Sequence, residues 1–418
     1  MTRDSRSSAR VLYLSYDGMC DPLGGSQVLP YLVGLARRGH RISLISFEKP
    51  ERSKAERRQV EQLCEEAGIE WHALAYHKNP PVLSTLYDLR SMQRLAARLQ
   101  RRAPFDVVHC RSYIPALAGL RLKRQSGMRF LFDMRGFWAD ERVEGGQWNL
   151  TNPLFRAVYN YFKRRERDFW READAIVSLT EAAREIVEHA NAGRPGAPPI
   201  SVIPCCVDFD AFPPVSQQTR ATARQKLGIP EMATVAAYLG SFGSWYMVDE
   251  MLDFFRVQLE RDPDAIFLII SREPEHEIVA AAERHGIGRD RLVVRSATRA
   301  EVPQFISAAD YGLFFIMPVF SKKASSPTKM GELLALELPM VTNGGVGDVE
   351  RILDETGAGV IVKAFDEASY REALDSLSQL SPDMDRWRTA TRTWLDLEQG
   401  VDRYDAIYAA LCEGTVSR

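Results

Sequence analysis

The sequence predicts an α/β protein built from two doubly wound, mainly parallel sheets. Three observations carry that expectation. Short apolar runs alternate along the chain with amphipathic segments long enough for helices, the pattern of repeated βαβ units. The rhythm breaks once, between Pro204 and Pro230, and then restarts. The chain has 418 residues, and at roughly 100–200 residues per domain that length suits two units of this kind.

Taken in order, the first run is Arg10 to Tyr16 (RVLYLSY), almost continuous in apolar residues as expected of a strand covered on both faces. Gly24 and Gly25 follow, then a helical pattern from Ser26 to Arg38 that stops at Gly39, a C-terminal cap signal. Strand patterns recur at 41–47, 69–76, 106–110, 129–134, 175–179 and 200–203, with helix-like segments between them. Pro213, Pro214 and a polar Ser-Gln-Gln-Thr segment mark 204–230 as a linker. Beyond it, strand patterns fall at 234–239, 265–270, 292–294, 312–316, 339–342 and 359–362. The tail at 387–411 reads as an amphipathic helix carrying Trp387, Trp394, Tyr404 and Tyr408. These signals divide the chain into an N-terminal domain at 1–208, a C-terminal domain at 209–386 and a helical segment at 387–418 that returns toward the first domain. In open α/β sheets, ligands bind beyond the carboxyl ends of the strands. Two such sheets are expected to hold a donor and an acceptor across a cleft, which suits group transfer.

Composition narrows the function classes. There are 54 Lys and Arg against 56 Asp and Glu, a net charge of −2, so a globally basic nucleic-acid binder is excluded. Apolar residues at 45% and charged residues at 26% are ordinary globular usage and exclude wholesale disorder. The six cysteines (Cys20, Cys64, Cys110, Cys205, Cys206 and Cys412) are too sparse for a disulfide scaffold, show no Cys-x-x-Cys spacing and are read as reduced thiols. The polar amino terminus has no apolar signal core, and the longest apolar stretch, Tyr311 to Phe320, is too short to cross a bilayer. A cytoplasmic protein, soluble or peripheral at the inner face of a membrane, is expected.

The most informative segment is Ser325-Ser326-Pro327-Thr328-Lys329-Met330-Gly331-Glu332, running on to Leu338-Pro339. Ser326 suits an N-cap and Pro327 the first turn of a helix. The free N–H groups and dipole at such a helix start favour a phosphate or diphosphate. Ser325, Ser326 and Thr328 would add hydroxyl donors, Lys329 a cation, and the Glu332 carboxylate an acceptor for ribose hydroxyls. A plain capped helix with a solvated Lys and Glu is the competing reading.

The order of a strand, this Ser-Pro-Thr-Lys-x-x-Glu helix and a Leu-Pro-Met-Val-Thr strand resembles the donor-site signature of glycosyltransferase family 4, of the GT-B fold. Val202-Ile203-Pro204-Cys205-Cys206-Val207-Asp208 resembles that family's domain junction, Ala173-Asp174-Ala175-Ile176-Val177 its Arg-Ala-Asp-Ala-Ile-Val strand start, Ala308-Ala309-Asp310 the motif before the donor-site strand, and Leu23-Gly24-Gly25-Ser26 its glycine-rich first loop. The resemblance runs from about residue 10 to about residue 410. It implies two Rossmann-like domains, a nucleotide-sugar donor in the second, an acceptor in the first, retention of anomeric configuration, and no metal or other cofactor.

The resemblance also assigns residues. The family's Glu-x7-Glu pair keeps its second member as Glu332, but the first falls at Ala324, so donor-sugar placement must differ. Family members often use an Arg and a Lys against the diphosphate; Arg272, after the second strand of the C-terminal domain, and Lys329 are the candidates here. Gly240, Ser241 and Gly243 follow the first strand of that domain and allow close backbone approach to phosphate or sugar, but this loop carries no basic residue. Backbone near Arg295–Thr298 is expected to read the base. Gly24, Gly25 and Ser26 are expected in a loop touching diphosphate or acceptor.

In the N-terminal domain, Asp106-Val107-Val108-His109-Cys110-Arg111 resembles the family's Asp-Val-Val-His-x-His, with Arg111 in place of the second His. His109 is a structural or acceptor-site residue, and Arg111 a holder of acceptor or phosphate charge. Asp133 and Arg135, two apart at a strand end, share a side. With Asp140 nearby they form a polar, aromatic cluster suited to a sugar acceptor, or an internal salt-bridge network. Asp133, or else Asp140, is the candidate general base. The basic, aromatic stretch Tyr159–Arg171 is a candidate membrane contact beside a glycan or lipid-linked acceptor. The reading that results is a retaining, metal-independent glycosyltransferase using a UDP- or GDP-sugar in cell-surface polysaccharide biosynthesis, with no nucleic-acid partner. The alternatives are a GT-B sugar-nucleotide epimerase, a phosphorylase, or a degenerate relative that binds a glycan or partner without turnover.

Overall fold

The structure is a computed structural model and describes residues 8–243 and 245–413. The extreme amino terminus, Ser244 of the glycine loop and the last five residues of the tail lie outside them. The chain forms two compact units, one from residues 8–204 with 397–413, the other from 205–396.

The first unit runs β1 (Arg10–Ser15), α1 (Pro22–Gln27), α2 (Leu29–Arg37), β2 (Arg41–Glu48), α3 (Lys54–Glu66), β3 (Glu70–Ala75), α4 (Leu83–Arg102), β4 (Val107–Arg111), α5 (Tyr113–Ser126), β5 (Arg129–Asp133), α6 (Trp138–Glu144), α7 (Pro153–Glu172), β6 (Ala175–Ser178), α8 (Glu181–Ala190) and β7 (Ile200–Val202). Its sheet is all parallel in the order β3-β2-β1-β4-β5-β6-β7. The order reverses at β1, so the crevice between the β1 and β4 ends is the switch point where α/β sheets bind ligands. β1, β4 and β5 are buried almost throughout, which is why they read as apolar runs.

The second unit runs α9 (Gln217–Leu227), β8 (Val235–Leu239), α10 (Val248–Arg261), β9 (Ile266–Ile270), α11 (Glu275–Arg284), β10 (Leu292–Arg295), α12 (Val302–Ile306), β11 (Tyr311–Leu313), α13 (Thr328–Ala335), β12 (Met340–Asn343), α14 (Val349–Thr356), β13 (Gly359–Val362), α15 (Glu367–Ser378) and α16 (Met384–Leu395). Its parallel sheet has the order β10-β9-β8-β11-β12-β13, with the reversal at β8. The chain then ends with α17 (Leu397–Glu413), which packs on α2 and β4 of the first unit.

Three expectations are corrected. The first helix starts earlier than Ser26, at Pro22, so Gly24, Gly25 and Ser26 are helical rather than a loop. Gly24 is buried, and a Cβ there would meet Gly18 O at 2.1 Å, so its role is close packing on the preceding turn. The Ser26 hydroxyl donates to Pro22 O within the same helix (2.7 Å). The 204–230 linker contains α9, nucleated by a capping box in which Ser216 accepts from the Thr219 amide. The tail divides at 396/397 rather than at 387, because Trp387 and Leu395 of α16 lie in the core of the second unit and the Trp387 indole N–H donates to Leu334 O (3.1 Å).

Candidate active site

The second unit gathers its chemistry at the carboxyl end of β8. The strand ends on Gly240, whose φ of +140° and close neighbours both call for glycine. The chain then runs through Ser241, Phe242 and Gly243, with Tyr246 pairing Ile316 beyond β11. The Tyr238 hydroxyl donates to Ser241 O (2.6 Å).

Into this corner α13 delivers Lys329. Its Nζ lies 3.6 Å from the Tyr246 ring centroid and 4.2 Å from that of Tyr238, and a Cβ on Gly240 would come within 2.8 Å of it. The ammonium is buried and has no hydrogen-bond partner among the described residues. Burial drives its pKa well below the ordinary lysine value, opposed only by the charge of Glu332. A loop without a basic residue thus acquires one from the helix opposite, held by aromatic faces. Lys322 does likewise against Trp245, 3.7 Å from the ring centroid.

One turn along α13, Glu332 is buried and Arg299 donates to its Oε1 (2.7 Å). Burial raises the Glu332 carboxyl, opposed by Arg299 and Lys329. Arg299, which no sequence pattern singled out, sits in the segment after β10 and covers the Phe212 ring at 5.3 Å. The first amides of α13, at Thr328 and Lys329, have no acceptor among the described residues, so they can receive an anion. Ser325 and Thr328 are half-buried beside them.

The capping expectation is corrected. Pro327 itself occupies the N-cap, and the Ser326 hydroxyl instead accepts from the Cys205 N–H (3.0 Å). That ties the helix start to the junction motif and leaves the Ser326 O–H proton available to donate. Ala324 is wholly buried, so a carboxylate there would face the interior of this unit. Arg272 is exposed beyond β9, with no partner among the described residues. Arg295 is exposed at the last position of β10, one strand further from β8, and bends back to bond Val294 O (2.8 Å).

In the first unit, the ends of β4 and β5 bring four of the expected residues together. Asp133 is buried, with Arg135 Nη1 at 3.8 Å, Arg111 Nη1 at 4.0 Å and His109 Nε2 at 3.5 Å. The Tyr404 hydroxyl of α17 donates to Asp133 Oδ2 (3.1 Å). Burial alone would raise the Asp133 carboxyl, but Arg135, His109 and Arg111 together hold it below the usual carboxylate range. A wholly buried anion of that kind serves as a counter-ion to the Arg111 and Arg135 guanidiniums beside it.

His109 is sealed in the core, its Nδ1 bonded to the Tyr408 hydroxyl (2.7 Å) and its ring 4.4 Å from that of Tyr13. Burial lowers its pKa, and it takes the structural role rather than touching an acceptor. Arg111 bridges outward to the half-exposed Asp17 (3.2 Å). Arg135 and Ser112 both have positive φ, 58° and 69°, so backbone strain is concentrated at the ends of β4 and β5. Asp140 does not join this cluster. Its two oxygens accept from the Tyr159 hydroxyl and Lys163 Nζ, both at 2.8 Å, so it belongs to an internal network with Glu166 and Tyr113.

Comparison with known proteins follows the division into units. Residues 24–206 match the family described as Glycosyl transferase 4-like domain, and residues 219–394 match Glycosyl transferases group 1. Between them the two models account for most of the chain. It belongs to the GT-B glycosyltransferases.

Solved structures share the fold of this GT-B chain. Sucrose-phosphate synthase (tll1590) from Thermosynechococcus elongatus is 14% identical with a TM-score of 0.74, over 97% of this chain and 100% of that one. A glycosyltransferase from Rickettsia africae ESF-5 is 14% identical with a TM-score of 0.72, over 97% and 98%. Anabaena Alr3699/HepE, solved with UDP and glucose, is 13% identical with a TM-score of 0.68, over 98% and 100%. No curated protein sequence matches significantly. All six cysteines are unpaired, and no helix among the described residues is long and apolar enough to cross a membrane.

Proposed function

We propose that this protein is a retaining, metal-independent glycosyltransferase that moves a sugar from a UDP- or GDP-sugar to a glycan or lipid-linked acceptor in cell-surface polysaccharide biosynthesis. The observation that carries the proposal is the unpartnered Lys329 ammonium against Gly240, beside the free amides that open α13. Cleavage of a nucleotide-sugar C1–O bond builds negative charge on the departing diphosphate. Donors fixed in advance at that charge supply the largest share of catalysis in reactions of this type. In this reading Lys329 and the α13 amides hold the diphosphate, Arg272 closes over it from β9, and the free oxygen of Glu332 receives a ribose hydroxyl while Arg299 steadies the other. Arg111 and Arg135 face the acceptor. That Alr3699/HepE is solved with UDP and with UDP-glucose makes UDP the first probe.

A titration tests the donor half. Glu332→Ala should weaken UDP or GDP binding by about 1–3 kcal/mol, the range for losing a hydrogen bond to a charged group, which is roughly 5- to 150-fold in Kd. Unchanged affinity would remove Glu332 from the site. Tight nucleotide binding with no sugar transfer or hydrolysis would favour the non-catalytic relative, a reading supported by Ala324 at the position of the family's first Glu.

A further inference from the structure

Helices α4, α5 and α7 each precede a strand of the same parallel sheet, so they run in one direction and start at the end where Arg111, Asp133 and Arg135 lie. α5 packs between the other two. Together they carry fourteen Lys and Arg against four Asp and Glu, in a chain whose net charge is −2. Two of those acids are internal: Asp88 accepts from the Tyr16 hydroxyl and meets His77, and Glu166 accepts from Tyr113 and Lys163. The other two, Asp168 and Glu172, pair with Arg165 and Arg124.

On α4 the arginines recur at 90, 94, 98 and 101, the spacing of a single helix face. They are exposed and have no acidic partner among the described residues. A groove of about 380 Å³ runs between the three helices, lined by Leu89, Gln93, Arg121, Arg124, Tyr161 and Arg165.

The apolar residues decide the kind of partner. Leu83, Leu86 and Tyr87 open α4, Leu154 opens α7 and Tyr161 follows two turns later; each is 40–64% exposed. They are five of the eleven large hydrophobic residues exposed among the described residues. A nucleic-acid face gains little from leucines in a first helical turn. An anionic lipid surface takes them into its apolar layer while the arginines behind them stay at headgroup level. We infer that the α4–α5–α7 face of the first unit docks on an anionic phospholipid bilayer, with α4 rather than the Tyr159–Arg171 stretch alone as its main contact. The docking edge is the one that carries the candidate acceptor residues, so an acceptor rooted in the bilayer would be delivered to them.

The test uses the full chain and does not depend on nucleotide chemistry. Flotation with vesicles of phosphatidylcholine alone, and of phosphatidylcholine with phosphatidylglycerol, should show binding only to the second, weakening as salt rises. Arg90→Gln with Arg94→Gln and Arg98→Gln should lower that partition on the order of 100-fold, given the attraction expected per cation. Leu83→Ser with Leu86→Ser should lower it at unchanged charge, and both variants should keep the wild-type melting temperature. Failure to bind anionic vesicles, equal binding to both compositions, variants that bind like the wild type, or binding to an oligonucleotide but not to vesicles would each overturn the inference.

Discussion

Lys329→Met should make the second unit more stable and nucleotide binding weaker. The ammonium is buried against aromatic rings with no hydrogen-bond partner among the described residues, so folding strips it of water and returns little. Methionine has similar length and no such cost. The expected gain at neutral pH is about 1–3 kcal/mol, the penalty for a buried unbonded polar group in protein mutants, or roughly 2–12 °C in the melting of a domain this size. The sign of the pH dependence follows from the lowered pKa. Between its folded value and the ordinary 10.5, the unfolded chain binds the proton and the folded chain does not. Wild-type stability should therefore rise with pH across that window and fall as the pH drops, while the Met variant lacks this slope. Nucleotide binding moves the other way: a diphosphate favours the charged amine, so binding takes up a proton and weakens as pH rises. Calorimetry in buffers of different ionisation enthalpy measures that uptake directly. A variant that is less stable and binds nucleotide normally would show that Lys329 is a packing residue.

Asp133→Asn should destabilise the first unit by about 3–5 kcal/mol, the cost of leaving buried charges without their partner. Arg111 and Arg135 would then lose the buried carboxylate that lies near both of them. At roughly 2–4 °C per kcal/mol, the melting temperature should fall by about 6–20 °C. Because Asp133 is held below its ordinary 3.8, its contribution is complete above that pH and is lost as the pH falls through the folded value. Wild type should thus show an acid-unfolding slope below pH 3.8 that the Asn variant lacks. A variant with wild-type melting that has lost only turnover would mark Asp133 as a base.

All thirteen strands fall where apolar runs predict them, and the pattern is clearest in the central strands, which are covered on both faces and need uninterrupted apolar residues. The shortfall at 312–316, where regular strand stops at Leu313, arises because Ile316 is instead fixed by the Asn343 side-chain amide. Helix starts were harder to read. Gly24 and Gly25 suggest a loop, yet Gly24 is needed inside a helix by its close approach to the Gly18 backbone in the preceding turn, a tertiary contact that spacing does not encode. At the candidate donor site, the helix-start pattern points to Lys329 and Glu332. It does not point to Arg299, since that residue reaches Glu332 across 33 positions of chain from an irregular segment. The pairing of Lys329 with Gly240 and Tyr246 likewise depends on the β8–β11 register. Asp140 shows the opposite error: its neighbours in sequence suggested a sugar site, but α7 turns Tyr159 and Lys163 onto it.

The most direct test of the central claim is a crystal structure with UDP or GDP bound. A diphosphate oxygen should lie about 2.7–2.9 Å from Lys329 Nζ, as for a charge-assisted hydrogen bond, with the Thr328 amide on the same group and a ribose hydroxyl on Glu332. A diphosphate bound elsewhere, with Lys329 still enclosed by Tyr238 and Tyr246, would contradict the account.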